Sequence, residues 1–135
     1  MRVMLWLAIA LLAGKGMAAP VCPASIDSQE TLPQVPAPWS LSPERMPQRL
    51  RAIRLFDGPP HEGATLRPEE SAGGRRLVWR FDAPDSSGIW LGCVYEGSRL
   101  MLSQRIEPTP RVCEAIIAGP NPVTDFATQL RLSCR

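Results

Sequence analysis

Four cysteines constrain the fold of this chain more than any other feature of its sequence. They are Cys22, Cys93, Cys113 and Cys134, and no two of them have the Cys-x-x-Cys spacing of a redox or zinc site. An even number of cysteines in a small exported chain is typical of a disulfide framework. We therefore predict two disulfide bonds, and we interpret Cys93 as half of a bridge rather than as a reactive thiol.

The start of the chain indicates that it is exported. A basic residue precedes an apolar run at residues 3–13, and small residues then lead to a plausible cleavage site after Ala18. This order is typical of a secretory signal peptide, and the apolar run is too short to span a bilayer. We predict a leader at residues 1–18, a periplasmic mature protein without a membrane anchor, and one disulfide-stabilised domain at 19–135.

The mature chain is expected to carry no net formal charge. The leader contains two of the 15 basic residues, Arg2 and Lys15, so the remaining 13 balance the 13 acidic residues. A balanced chain has no strong overall attraction for nucleic acid or for an anionic membrane. We therefore expect neither of these partners.

The sequence offers little catalytic or metal-binding chemistry. His61 is the single histidine, so any Ser-His or Cys-His mechanism would depend on it. Its neighbour in the loop is Glu62, and one such pair supplies too few ligands for a metal site. No glycine-rich phosphate loop is present. We expect a protein that is not an enzyme and that holds no metal or cofactor.

The first half of the mature chain is rich in proline. Ten of the 15 prolines lie within residues 20–68, which makes central strands and long helices unfavourable in most of that segment. We predict that residues 19–74 form an arm and loops, either extended over the domain or partly mobile. A strand at 51–56 is the exception that the sequence allows.

The second half shows the alternation of apolar and polar residues that is typical of strands. Leu77, Trp79 and Phe81 share one face of the first strand, and their period of two indicates that this face is buried. Five strands without a convincing helix predict an all-β fold: a small antiparallel sheet, sandwich or barrel within residues 75–135. The predicted strands lie near 77–81, 89–95, 99–106, 112–118 and 130–134.

The second, third and fourth of these strands are expected to form a meander in one sheet. Leu100, Leu102 and Ile106 alternate with polar residues along the middle strand, so they are predicted to face the core. In a meander, Cys93 and Cys113 would be two strands apart, about 9.5 Å. That distance exceeds the roughly 7 Å that a disulfide can bridge.

The last two strands favour one disulfide pairing. If Cys113 lies opposite Cys134 in an antiparallel hairpin, the apolar residues that follow Cys113 lie opposite those that precede Cys134. This register forms the bridge and the core together, and it leaves Cys22 for Cys93. The alternative, in which Cys22 pairs with Cys113 and Cys93 with Cys134, remains open.

The residues that we predict to bind a partner are aromatic or lie in the loop around His61. Trp39, in the proline-rich arm, is interpreted as filling a groove of the same domain, with an exposed role in partner binding as the alternative. Trp90 faces away from Cys93 and is interpreted as a core residue, with an exposed platform for a ligand as the alternative. The candidate binding residues are Trp39, Pro59, Pro60, His61 and Trp90.

The order of motifs resembles that of a small family of exported proteobacterial proteins. It runs from Cys-Pro-Ala-Ser at 22–25 through Phe-Asp-Gly-Pro-Pro at 56–60 and Trp-Leu-x-Cys-x-Tyr at 90–95 to the terminal Cys134. Some members are encoded near type VI secretion clusters, and this resemblance implies that the chain is an immunity protein. The chain is also broadly similar to periplasmic lysozyme inhibitors, which are small disulfide-bonded β-barrels. Their Ser-Gly-x-x-Tyr loop is matched only in part by Ser-Gly-Ile-Trp at 87–90.

Together these patterns predict a periplasmic binding module whose partner is a protein of the cell envelope. Such a module would serve as an immunity protein or inhibitor against a cell-wall-directed enzyme or toxin. The alternatives are a structural envelope component and a small enzyme, or enzyme subunit, that uses His61.

Overall fold

A computed structural model describes residues 19–43, 46–83 and 87–135. The predicted leader, residues 1–18, lies outside the described residues. The described elements are β1 (Ser25–Ile26), β2 (Gln48–Asp57), β3 (Ala64–Leu66), β4 (Glu69–Ser71), β5 (Arg76–Arg80), β6 (Ile89–Tyr95), β7 (Met101–Arg105), β8 (Val112–Ile117), α1 (Phe126–Gln129) and β9 (Leu130–Cys134). The all-β prediction is confirmed, and α1 is a single turn of helix. Within the described ranges no helix is both long and apolar enough to cross a membrane.

The strands form two antiparallel sheets. The first sheet has the order β1-β2-β6-β7, and β3 also pairs with β2; the second has the order β4-β5-β8-β9. Because β6 occupies one side of β2, β1 and β3 share the other side, β1 at the start of the strand and β3 at its end. The inward side chains of both sheets meet in one core, so the arrangement is a β-sandwich, one of the predicted alternatives.

The core is built from the inward face of each central strand. Trp79 of β5 is only 2% exposed, so its predicted place in the core is confirmed. Along β6 nearly every residue is buried, since this strand has a neighbour on each side and covered faces above and below. The buried core residues are Leu50, Ile53, Leu55, Trp79, Phe81, Ile89, Leu91, Cys93, Tyr95, Ile106, Cys113, Ala115, Ile117 and Phe126.

The predicted meander is wrong at its third strand. β6 and β7 form a hairpin, but β8 belongs to the other sheet, between β5 and β9. Pro108 and Pro110 separate β7 from β8, and proline cannot donate a hydrogen bond to a sheet ladder. The chain leaves the first sheet at this point. Cys93 and Cys113 therefore lie in different sheets, and the separation calculated for a meander does not apply to them.

The preferred disulfide pairing is nevertheless confirmed. Cys22 is bonded to Cys93 with a Cα–Cα distance of 5.7 Å, and Cys113 is bonded to Cys134 with a distance of 4.1 Å. The hairpin of β8 and β9 has the predicted register, with Cys113 opposite Cys134 and Ala115 opposite Leu132. Matched inward residues thus set the register that brings the two cysteines together, and no cysteine is left free.

The proline-rich half contains a central strand. The strand that was predicted at 51–56 is β2, which extends over Gln48–Asp57 and pairs with β6 over most of its length. Pro47 and Pro59 flank it, and none of the ten residues between its ends is proline. Prolines thus limit the length of β2 without interrupting its hydrogen bonds.

The side chains of β7 depart from the predicted burial. Ile106, just after the strand, is buried, but Leu100 and Leu102 are 54% and 43% exposed. β7 is an edge strand of the first sheet, and β8, which was expected to cover its free side, is in the other sheet. The alternation of apolar and polar residues therefore showed which side chains share a face of the strand. It did not show how much of that face other strands cover.

Candidate protein-binding surface

The loop between β2 and β3 holds three of the candidate binding residues. Its two ends are close together, since a Cβ on Gly63 would lie 2.5 Å from the Asp57 carbonyl oxygen and 2.6 Å from the Gly58 carbonyl oxygen. The Gly58 amide also donates to the Gly88 carbonyl at 2.8 Å, which joins the loop to the residue before β6. Only glycine can therefore occupy position 63 without moving the backbone. The loop presents Pro59 and Pro60 half-buried and His61 exposed.

The side chain of His61 has a simple environment. Its Nε2 atom lies 3.4 Å from a carboxylate oxygen of the adjacent Glu62, and both side chains are about three quarters exposed. Among the described residues, no group of three or more His, Cys, Asp or Glu side chains could hold a metal ion. The loop can offer a partner its proline surface, an imidazole and a carboxylate.

Trp90 lies on the outer face of the first sheet, opposite Phe56 on β2 and Arg105 on β7. Its indole is half-buried, and its Nε1 atom donates to the Ser87 carbonyl at 2.9 Å. The prediction that Trp90 faces away from Cys93 is confirmed. The residue is neither part of the core between the sheets nor fully exposed.

On the outer face of the first sheet, the side chains around Trp90 pack closely against one another. Phe56 and Val94 are only 5% and 9% exposed. A Cβ on Gly92 would lie 2.7 Å from the Met101 sulfur and 2.8 Å from the Phe56 ring, so these two side chains close over the glycine. The outer face therefore offers a packed apolar surface rather than an open groove.

Two cavities open at the sides of the sandwich. The larger, about 490 Å³, lies where β2 and β3 approach β5 and α1. The smaller, about 320 Å³, lies between the start of the described chain, β2, β6 and β9. Apolar side chains dominate both linings, and Trp79 and Phe126 line the larger one. Neither cavity brings together the residues of a recognisable catalytic site.

The start of the described chain is firmly attached to the first sheet. Besides the Cys22–Cys93 bridge, the Tyr95 hydroxyl donates to the Pro23 carbonyl at 3.0 Å, and the Leu50 amide donates to the Ala24 carbonyl at 2.8 Å. β1 then adds a short antiparallel pairing with β2. Residues 22–26 are thus held by covalent, hydrogen-bond and strand contacts together.

Tyr95 gives this attachment a pH dependence. Its side chain is 1% exposed, and burial raises the pKa of its hydroxyl above the ordinary value of 10.0. A raised pKa means that the folded state favours the protonated phenol. The stabilisation is complete below pH 10 and is lost as the pH rises through the raised pKa.

We therefore expect the free energy of unfolding to fall as the pH rises above about 10. Tyr95 is the single tyrosine, and beyond the predicted leader every basic side chain except His61 is arginine, which stays charged in this range. Chemical denaturation as a function of pH checks the fall, with Tyr95→Phe as control. An equally steep alkaline fall in Tyr95→Phe would contradict the assignment.

The segment at residues 31–43 is exposed at every position, and we call it the Trp39 loop. Trp39 itself is 76% exposed, so the prediction that it fills a groove of the same domain is wrong. Its amide donates to the Pro36 carbonyl at 2.9 Å in a tight turn, which holds this part of the loop in a local fold of its own. The alternative interpretation, an exposed indole available to a partner, agrees with this geometry.

Leu100, just before β7, and Leu102, within it, are exposed surface residues that the sequence did not reveal. Leu102 lies directly opposite Cys93, the anchor of the bridge to Cys22. Leu100 follows Arg99, whose amide donates to the Glu30 carboxylate at 3.2 Å. The root of the Trp39 loop and these leucines therefore adjoin one another. Their exposure follows from the position of β7 at the edge of the sheet. The sequence pattern does not show which strand is the edge strand.

Comparison with known proteins supplies a family for this fold and surface. The family model described as Type VI secretion system Tli immunity protein matches residues 42–135, which is more than two thirds of the chain. Neither the curated proteins nor the solved structures contain a significant match. The matched segment includes β2 to β9 and both strands of the Cys113–Cys134 hairpin. The chain therefore belongs to the type VI secretion system Tli immunity protein family.

Proposed function

We propose that this protein is an exported immunity protein that binds a type VI secretion effector in the periplasm and blocks its action. The observation that carries the proposal is the family match over residues 42–135. The signal-peptide pattern at 1–18 supports export. The two disulfides support the same compartment, because such bonds persist in oxidising environments.

Protein binding, rather than chemistry on the effector, is the mode of action that the surface supports. His61 contacts the carboxylate of Glu62 on an exposed loop, whereas covalent catalysis needs a nucleophile held within hydrogen-bond reach of its base. Large apolar side chains are exposed on several parts of the surface, among them Trp39, Leu100 and Leu102. Exposed aromatic and apolar residues of this kind are typical of protein interfaces.

Removal of residues 2–18 is expected to abolish protection. The truncated protein would stay in the reducing cytoplasm, away from a periplasmic effector and without its disulfides. The measurement is the viable count of cells that produce, one at a time, the type VI effectors of the same genome directed to the periplasm, with either the full chain or the truncated one. We expect survival with the full chain and death with the truncated one.

The matched control carries residues 19–135 behind the signal peptide of an unrelated periplasmic protein, and it should protect as well as the full chain. Protection by the leaderless form would contradict the periplasmic site of action. Failure of the full chain to protect, despite normal accumulation in the periplasm, would contradict the immunity function itself.

A further inference from the structure

We infer that the Trp39 loop is the element that inserts into the effector, with Trp39 as the anchor in an apolar cavity of that protein. The inference rests on the proposed function and identifies the part of the immunity protein that recognises its partner. The partner of the loop is the effector, and the site on the effector is an uncharged pocket large enough for an indole.

The composition of the loop is unlike that of a solvated linker. Residues 31–43 contain no charged side chain, and all 13 positions are exposed. Linkers that remain in solvent are depleted in apolar and aromatic residues. Here the large apolar side chains that face solvent are Leu32, Val35, Trp39 and Leu41, at 53%, 38%, 76% and 51% exposure. Apolar side chains grouped on an exposed element mark an interaction site.

The loop is held in position before any partner arrives. At its start the Glu30 carboxylate accepts a hydrogen bond from the Arg99 amide, and the Ser28 hydroxyl donates to the Gln48 side chain at 2.7 Å. Four of its 13 residues are proline, and proline fixes the backbone angle φ. A loop that is anchored and restricted in this way loses little conformational entropy on binding, so more of its contact energy appears as affinity.

The chemistry of the loop defines the pocket that it would enter. A charged group in the effector pocket would lose its hydration to a loop that has no charge to offer in return, which is costly. The complementary cavity is therefore apolar, with polar groups at its rim. Tryptophan is among the residues that most often dominate the binding energy of such interfaces.

The position of the loop at the edge of the family match agrees with a role in discrimination between effectors. The match begins at residue 42, so residues 31–41 lie outside it, although Cys22, in the segment that precedes the loop, is bonded to Cys93 inside it. Contacts from a segment added to a common body can distinguish one partner from another without altering that body. We assign to the Trp39 loop the contacts that select this chain's own effector.

A membrane is a less suitable partner for this loop. Peripheral elements that bind anionic lipid combine apolar side chains with lysine and arginine, and residues 31–43 contain neither. Apolar side chains that are exposed without basic neighbours match a protein cavity better than a charged headgroup layer.

The test compares Trp39→Ala with a matched control. Val123 is also strongly exposed, at 83%, and lies in the connection between β8 and α1. The probe is the type VI effector of the same genome against which the full chain protects, purified with its active site inactivated, and binding to residues 19–135 is measured by calorimetry. We expect Trp39→Ala to raise the Kd by about thirtyfold or more. Val123→Ala should change it by about twofold or less, and Trp39→Phe should lose less affinity than Trp39→Ala.

The outcomes separate this inference from the proposed function. Because the Trp39 side chain is mostly exposed, all variants should unfold at the wild-type temperature. Wild-type binding that Trp39→Ala leaves unchanged would overturn the inference and leave the immunity function standing. Absence of effector binding by the wild-type protein would overturn the function.

Two further measurements address the other occupants. The protein could instead bind no effector and sediment with vesicles of phosphatidylethanolamine and phosphatidylglycerol. If that sedimentation required Trp39, the loop would be assigned to a membrane. A dimer in light scattering that Trp39→Ala dissociates would assign it to a second copy of the chain. Either result would overturn the inference; a monomer that leaves such vesicles unbound supports it.

Discussion

Cys22→Ser is expected to lower the free energy of unfolding by about 4 kcal/mol. The bridge that it removes joins residues 71 positions apart, and the loop-closure entropy that a disulfide removes from the unfolded chain grows with that separation. Cys22 is only half-buried, so the serine hydroxyl can remain in contact with water and adds little cost of its own. Urea denaturation of residues 19–135, with and without the substitution, measures the difference.

The comparison variant is Cys134→Ser, which breaks the bridge between residues 21 positions apart. The same entropy relation predicts a smaller loss, about 3 kcal/mol. Cys134 is also half-buried, so the two substitutions differ mainly in the length of the loop that is released. A Cys22→Ser protein as stable as wild type would refute the structural role of the bridge to the arm.

Trp79→Ala is expected to destabilise the protein by about 4 kcal/mol, the size typical of an aromatic residue removed from a packed core. The indole is 2% exposed, and its Nε1 atom donates to the Leu66 carbonyl at 3.2 Å. The substitution therefore leaves a cavity between the sheets and removes a hydrogen bond to β3. Thermal and urea denaturation measure the loss.

Trp90→Ala is the matched control, because it removes the same kind of side chain from β6, on the outer face of the first sheet and away from the core. Trp90 is half-buried, so about 1–2 kcal/mol is expected. If both substitutions cost the same, the assignment of Trp79 to the core and of Trp90 to the outer face would be wrong.

Much of the second sheet could be predicted from sequence because its strands are amphipathic. The alternation of Leu77, Trp79 and Phe81 identified β5, and the matched apolar positions of the last hairpin predicted both its register and its disulfide. A half-buried strand has a period of two in its side chains, and a shift of one residue would expose the whole apolar face. The register of such a hairpin is therefore encoded locally.

The assignment of strands to sheets was not encoded in this way. Alternation shows which residues share a face, but β8 could extend the sheet of β7 or enter the other sheet with the same inward face. The structure has the second arrangement, and this difference also decides the exposure of Leu100 and Leu102. The exposure of Trp39 could not be predicted for a similar reason. The composition of its segment does not show whether the folded domain has a groove that the indole could fill.

The two disulfides join neighbouring cysteines in chain order, the first with the second and the third with the fourth. In the export that we propose, the chain crosses the membrane from its N-terminus, so Cys22 and Cys93 emerge before Cys113 and Cys134. An oxidase that joins each cysteine to the next one to emerge would form both native bonds directly. Any other pairing would have to skip a cysteine that had already emerged. Maturation along the chain order therefore needs no isomerase to rearrange wrongly paired cysteines.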